Sequence, residues 1–309
     1  MTEEKLAIVD AHQHFWDLGR NYLPWLRDEP PIAFRYGDYR ALKRDYLPAD
    51  YRVDTAGFEI LGTVYVEAEW DPRDPLGETR WVTRLAAETG LPSAMVAQAW
   101  LDREDVAELL AAQAVFPLVR GIRHKPRPVG PVDPRRLDNR STMADEAWRR
   151  GYALLARHGL SFDLQVPYWH AEDAARLAAD FPATTIIVNH AMLPADRSAE
   201  GLAVWRRALA RLAERPNVAL KISGLGTEGG WPLEAQRPVV LEAIRIFGVE
   251  RCLFASNYPV DSLVGSFRTI FAGFDAITRH LPASDRTRLF ADNARRIYRL
   301  DLSGSRRRS

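Results

Sequence analysis

The feature that most constrains this chain is a count. Eight short apolar runs, rich in valine and isoleucine, recur along it: Ile8–His14, Ile60–Glu67, Ser93–Trp100, Pro117–Arg123, Ser161–Val166, Thr185–His190, Asn217–Ser223 and Arg251–Asn257. Runs of this length and composition read as strands buried on both faces. Between them lie helical patterns over Asp102–Val115, Thr142–His158, Ala171–Phe181, Gly201–Glu214, Leu233–Phe247 and Leu263–His280. In Thr142–His158, Ala147, Tyr152, Leu154 and Leu155 form an apolar stripe against Arg149, Arg150 and Arg157. A last pattern, Ser284–Tyr298, opens on Ser284 and Asp285, residues suited to capping. Eight strand–helix units in 309 residues point to one (β/α)8 TIM-type barrel spanning 1–300, with 301–309 expected to be a disordered tail. An open doubly wound sheet is the competing arrangement. Against it, no glycine-rich phosphate loop follows the first strand. About 45 residues, dense in proline and aromatics, separate the first two runs, so a long insertion is expected above the barrel mouth.

Charge excludes some partners. Forty-two Lys+Arg against 41 Asp+Glu leave a net charge of +1, which gives no field to hold a phosphate backbone, and no nucleic acid is expected as partner. No apolar stretch approaches the ~18 residues of a membrane span, and the polar start carries no signal-peptide core. The expectation is a soluble cytoplasmic protein. The single cysteine, Cys252, lies in an apolar run and reads as a buried, inert thiol.

In a barrel of this kind chemistry gathers at the C-terminal ends of the strands. The first run ends in His12-Gln13-His14, and a side-chain period of two puts both imidazoles on one side. Two neutral imidazoles held this way can share a metal ion or polarise a carbonyl oxygen. His190 ends the sixth run and Asn257 the eighth, with Asp261 four residues on. Glu67, Arg123, His124, Gln165, Lys221 and Ser223 sit at the other strand ends. Each has a plainer reading, as an ion-paired or packing residue. Their gathering at strand ends favours a site, because buried strand ends have no other reason to be polar.

The run Val9-Asp10-Ala11-His12-Gln13-His14-Phe15-Trp16 resembles the opening of the amidohydrolase superfamily. Further matches are Val64-Tyr65-Val66-Glu67-Ala68, Gly121-Ile122-Arg123-His124, Asn189-His190, Lys221-Ile222-Ser223-Gly224-Leu225 and Phe254-Ala255-Ser256-Asn257-Tyr258-Pro259-Val260-Asp261. Together they look like the branch holding sugar-acid lactonases and 2-pyrone-4,6-dicarboxylate lactonase, and the resemblance runs from about Val9 to Leu300. It implies a distorted (β/α)8 barrel and water-driven opening of a lactone ester, of the sugar-acid or pyrone type.

One departure matters. The family's last-strand aspartate, a general base and in metal-dependent members a ligand, is Asn257 here. An amide takes up no proton at neutral pH and is a poorer ligand than a carboxylate. Asp261, His190 and Glu67 stay open as the base, and Asp261 has the alternative reading of a turn or helix cap. The resemblance also implies either no cofactor or one divalent ion, zinc first, on His12, His14 and His190. Arg123, Lys221 and His124, with Gln165 and Ser223, are expected to hold a small lactone or organic-acid substrate. Two other functions compete: a metal-dependent decarboxylase of an aromatic or muconate acid, and a non-catalytic binder of such acids. Oligomeric state does not follow from the residues.

Overall fold

The computed structural model describes residues 6–302, so residues 1–5 and the tail expected beyond Leu302 lie outside the described residues. Eight parallel strands follow one another in chain order: β1 (Ala7–Gln13), β2 (Glu59–Val66), β3 (Ala94–Gln98), β4 (Val119–Arg123), β5 (Ser161–Leu164), β6 (Ile186–Val188), β7 (Val218–Ile222) and β8 (Cys252–Phe254). Helices fill the crossovers, and the result is the (β/α)8 barrel that the eight runs predict. From β3 onward the strands are shorter than their runs, because the polar strand ends leave the sheet to form the mouth.

Two apolar layers hold the barrel. The outer one packs strands against helices through residues such as Phe162, Leu220, Phe254, Trp148, Trp205 and Phe274. The inner one fills the barrel with Val9, Ala11, Val64, Val66, Val96, Ile187 and Leu253, and Ala291, Ala294 and Tyr298 of the C-terminal segment pack into the same cluster. Cys252 is buried in the outer layer, where burial pushes its thiol up, as the inert reading requires.

The seam between β1 and β8 is the barrel's weak point. Every other neighbouring pair shares a ladder, whereas here one parallel bridge, Gln13 to Tyr258, closes the circle. Below it the Asp10 carboxylate takes the place of backbone pairing. It accepts from the Ser256 N–H (2.8 Å), the Ser256 hydroxyl (2.6 Å) and the Tyr51 hydroxyl (2.9 Å).

A bulge in β1 then sets the site. Asp10 pairs with Thr63 and Gln13 with Tyr65, so three steps on β1 oppose two on β2. The extra residue changes the parity of the strand. Val9 and Ala11 belong to the inner cluster, and beyond the bulge His12 and His14 also turn inward.

Some local expectations fail. Thr142–His158 is a 3-10 turn (Thr142–Ala144), an α-helix (Glu146–Ala153) and a second 3-10 turn (Leu155–His158). Its buried stripe is Trp148, Gly151, Tyr152 and Leu155, while Ala147 is exposed. The helix approaches so closely that a Cβ on Gly151 would lie 2.0 Å from the Leu101 carbonyl oxygen. Ser284 and Asp285 cap nothing. The helix starts from Pro282 without a side-chain cap, and Asp285 pairs with Arg288 instead.

The insertion between β1 and β2 packs as an aromatic raft, with Trp25 stacked on Phe34 (5.9 Å between ring centres) and against Tyr39 (5.7 Å). It covers part of the mouth. If Asp10 is the substitute for strand pairing at the seam, Asp10→Ala strands three donors and lowers stability by about 3 kcal/mol. Urea unfolding measures this, and a loss under ~1 kcal/mol would show that the seam closes without it.

Candidate active site

Three imidazoles meet at the top of the barrel. The His12 ring centre lies 4.9 Å from that of His14 and 4.7 Å from that of His190. Hydrogen bonds fix the proton on His14. Its Nδ1 faces the Val66 carbonyl oxygen at 2.7 Å, and a carbonyl can only accept, so Nδ1 carries the proton and Nε2 the lone pair. His190 Nδ1 lies 2.9 Å from the Ser223 hydroxyl, and His12 Nδ1 lies 3.4 Å from Lys221 Nζ. An ammonium donates, which leaves the His12 proton on Nε2, a buried atom with no partner among the described residues.

All three rings are neutral. Burial depresses His12 and His190 well below the ordinary imidazole value, and nearby cations push the same way: Lys221 on His12, Arg35 on His190. His14 is lowered to about 3 by burial and by Arg123.

Beneath them lies a buried ion pair. Lys221 Nζ is 2.7 Å from Asp163 Oδ1, and both side chains are fully buried. The Asn189 amide (2.8 Å) and the Tyr298 hydroxyl (2.9 Å) also donate to that carboxylate. A second pair, Arg123 with Glu67 at 2.5 Å, lies at the mouth, and Arg123 also donates to Gln165 at 3.0 Å. Burial alone would raise the Glu67 carboxyl, yet Arg123 and Lys125 hold it below the ordinary range.

Asp261 is a different kind of carboxylate. Its Oδ1 accepts from Asn257 Nδ2 (2.6 Å) and the Tyr36 hydroxyl (3.0 Å), with Arg35 at 3.5 Å, while Oδ2 is buried with no hydrogen-bond partner among the described residues. Burial outweighs these neighbours and raises its pKa to about 6. It does not cap the following helix, because Ser266 does so through its hydroxyl to the Thr269 N–H.

The backbone around this cluster is strained. His190, Ala191, Met192 and Leu193 all have positive φ, as do Asn257 and Glu69. Left-handed backbone costs an L-residue roughly 1–2 kcal/mol, and four such residues in succession persist only where the surroundings enforce it. Here Trp205 Nε1 donates to the Ala191 carbonyl at 2.7 Å and Asn189 is anchored on Asp163.

Two chambers open above. The inner one, about 250 Å³, is lined by His14, His190, Asn257, Gln165, Arg123 and Arg35 among others. The outer one, about 450 Å³, shares Trp25, Ile32, Glu69, Arg123 and Lys125 with it and extends past Glu67, His124, Trp70 and Trp100. His12 and Asp261 lie behind the inner wall. Lys221 and Ser223, expected to touch substrate, line neither chamber, because each is buried and occupied by another side chain. Arg35 and Tyr36 escaped the sequence reading. They sit in an irregular insertion with no period, and only the fold brings them to residue 261.

The family model for amidohydrolases matches residues 9–300. The chain belongs to the amidohydrolase family. It is 41% identical to a Sinorhizobium fredii protein named "Uncharacterized protein y4mH", over 96% of this chain and 99% of that one. It is 30% identical to an L-fucono-1,5-lactonase of Burkholderia ambifaria, over 95% of this chain and 96% of the relative. Among solved structures it resembles an amidohydrolase from Burkholderia multivorans with bound zinc, at a TM-score of 0.77 and 27% identity, covering 96% of this chain and 100% of that one.

The residues expected to take zinc in this amidohydrolase, His12, His14 and His190, lie side by side. Among the described residues no group of three or more histidine, cysteine, aspartate or glutamate side chains converges where an ion would sit. The Val66 bond leaves the Nε2 lone pair of His14 free, whereas His12 Nδ1 faces Lys221. No step below is routed through a metal.

The ion pair carries its own prediction. Lys221→Met leaves the Asp163 charge buried and uncompensated, a loss of about 3–5 kcal/mol. Adding Asp163→Asn should recover part of that in a denaturation experiment. Losses that simply add would show that the two charges do not support each other.

Proposed function

We propose that this amidohydrolase opens the ester ring of a sugar-acid lactone with water, and the observation that carries the reading is Asp261. A general base works best when its pKa lies near the operating pH. His14 and His190 are too weakly basic for the task, and Glu67 is locked to Arg123. The Asp261 carboxyl, raised to about 6, is ionised at neutral pH yet basic enough to accept a proton. It replaces the carboxylate that Asn257 lacks, from one helical turn further along the chain. The 30% identity to an L-fucono-1,5-lactonase over nearly the whole chain supports the same reaction class.

The residues divide the work. The lactone occupies the inner chamber with its carbonyl oxygen toward Arg35 and His190. With the Ser223 hydroxyl as donor to His190 Nδ1, Nε2 carries the proton and donates to the oxygen. A water in the inner chamber beside Asn257 attacks the carbonyl carbon, and its proton passes through one further water to the Asp261 carboxylate behind the wall. Negative charge on the former carbonyl oxygen is met by the Arg35 guanidinium and the His190 N–H, worth on the order of 10²–10³ in rate. Collapse expels the ring oxygen, which takes the proton back from Asp261 and becomes a hydroxyl, leaving a hydroxy-acid. Asn257 orients Asp261 through its amide, Arg123 and Gln165 hold the substrate's hydroxyls, and Lys221 with His12 forms the floor.

Asp261→Asn tests this. Proton release from a panel of sugar 1,5-lactones should fall by about 10²–10⁴-fold. In the unsubstituted protein kcat/KM should decline about tenfold per pH unit below about 6, where Asp261 takes up its proton, and the variant's residual activity should lack that limb. Stability should move the other way. A carboxyl whose folded pKa lies above its unfolded value of 3.8 costs stability on ionising, a cost fully present above about 6 and gone below about 4. The neutral variant should therefore melt no lower at pH 8. An unchanged pH limb in Asp261→Asn would remove it as the base.

A further inference from the structure

The outer chamber is larger than the inner one and touches none of the groups assigned to the reaction except Arg123. Together the two fall within the ~300–1,000 Å³ that a drug-sized ligand occupies. A monocyclic lactone seated in the inner chamber would leave the outer one filled with water.

Its walls have a definite chemistry. Trp25, Trp70 and Trp100 line it. Trp100 is 42% exposed, an unusual state for so large an apolar side chain, and it lies parallel to the His124 ring, 6.1 Å between ring centres and 5° between planes. His124 Nδ1 accepts from both the Trp148 indole N–H (3.0 Å) and the Leu101 N–H (3.1 Å). Its proton is therefore on Nε2, a fixed donor. Gln98 supplies an acceptor. Its Nε2 donates to the Trp70 carbonyl at 3.2 Å, while its Oε1 is buried with no partner among the described residues. A buried acceptor of that kind lacks a donor that a ligand can bring.

Each cation of this chamber has an acidic partner. Lys125 pairs with Glu69, Arg123 with Glu67 and Arg127 with Asp102. The lining thus offers flat aromatic faces, one neutral donor, one orphaned acceptor and the Asp28 carboxylate, which accepts from the Tyr22 hydroxyl, with no unpaired cation among the described residues for a carboxylate or phosphate. A sugar ring matches it: C–H faces lie on indoles, and hydroxyls both donate and accept. An aromatic ring would satisfy the indoles and leave Gln98 Oε1 bare.

We infer that the outer chamber is a subsite for a second, neutral sugar ring, so that the substrate is a glycosyl-substituted aldonolactone, of disaccharide size, rather than a single lactone ring. This rests on the lactonase reading above. The ester opens in the inner chamber as already described, and the glycosidic bond is untouched.

The test compares cellobiono-1,5-lactone with glucono-1,5-lactone, above their spontaneous hydrolysis, in the full-length protein. The disaccharide lactone should show the higher kcat/KM by about 10–100-fold, the gain expected of one stacked ring and one or two hydrogen bonds. Trp100→Ala and Gln98→Leu should each erase about tenfold of that advantage and leave glucono-1,5-lactone turnover within about twofold. Equal kcat/KM for the two lactones, or losses in the variants that are equal for both, would overturn the subsite while leaving the lactonase reading intact. Should neither lactone be turned over, binding of cellobionic acid followed by indole fluorescence decides separately. Saturable binding that weakens in Trp100→Ala supports the subsite and counts against the lactonase reading, and no binding overturns the subsite as well.

Discussion

Two opposite charges buried side by side, Lys221 and Asp163, hold the centre of this molecule. Taking ions out of water is costly, and the cost is offset only when every remaining donor and acceptor finds a partner. Asp163 on β5 meets that condition with Lys221 from β7, the Asn189 amide from the end of β6 and the Tyr298 hydroxyl from the C-terminal segment. One carboxylate thereby ties three strand ends to the piece of chain that plugs the barrel. It also anchors the residue just before the left-handed turn at His190. The same lysine faces His12 and adds to the positive field that keeps the imidazoles neutral. The site is built on a floor of fixed charge, and its histidines behave as hydrogen-bonding groups because of it.

Much of the fold was legible because period and composition report burial directly. The eight apolar runs became eight strands, and Leu233–Phe247 is a helix with the expected bounds. The His-X-His pair faces inward with His190 beside it, since a strand of period two leaves little freedom. What could not be read depends on long-range packing. The β1 bulge lets both the apolar pair Val9 and Ala11 and the histidines face inward, which no strict alternation allows. Trp148 takes the inward place assigned to Ala147 because Gly151 lets its helix approach the Leu101 backbone. Lys221 and Ser223 stand at strand ends as expected, but buried below the two chambers. Sequence gives the strand end and its face, and not the depth.

Asn257 shows how a family motif can be broken and its charge kept. The amide at the strand end donates to the carboxylate of Asp261. Moving the charge back behind the wall changes its energetics. An aspartate at the open mouth stays strongly acidic, whereas one enclosed by Tyr36, Asn257 and Arg35 is desolvated and more basic. Arg35 limits how far that rise can go, because a cation 3.5 Å away favours the ionised form. Burial and the guanidinium pull in opposite directions, and their balance leaves the carboxyl near neutrality.

The insertion after β1 makes that balance possible. It supplies Tyr36 and Arg35 to the carboxylate, Arg35 to the inner chamber, and Trp25 and Ile32 to both chambers. Trp25 is pinned from below by its indole N–H on the Ala68 carbonyl (2.9 Å) and from the side by Phe34. Its position is therefore set by β2 as well as by the loop. A short βα turn would leave Asp261 in open water, where desolvation vanishes and its pKa returns toward 3.8. It would also leave the chambers without a shared wall. One irregular segment thus sets both the basicity behind the inner chamber and the shape of the outer one. The environment of Asp261 and the extent of the outer chamber are for that reason linked through the same loop.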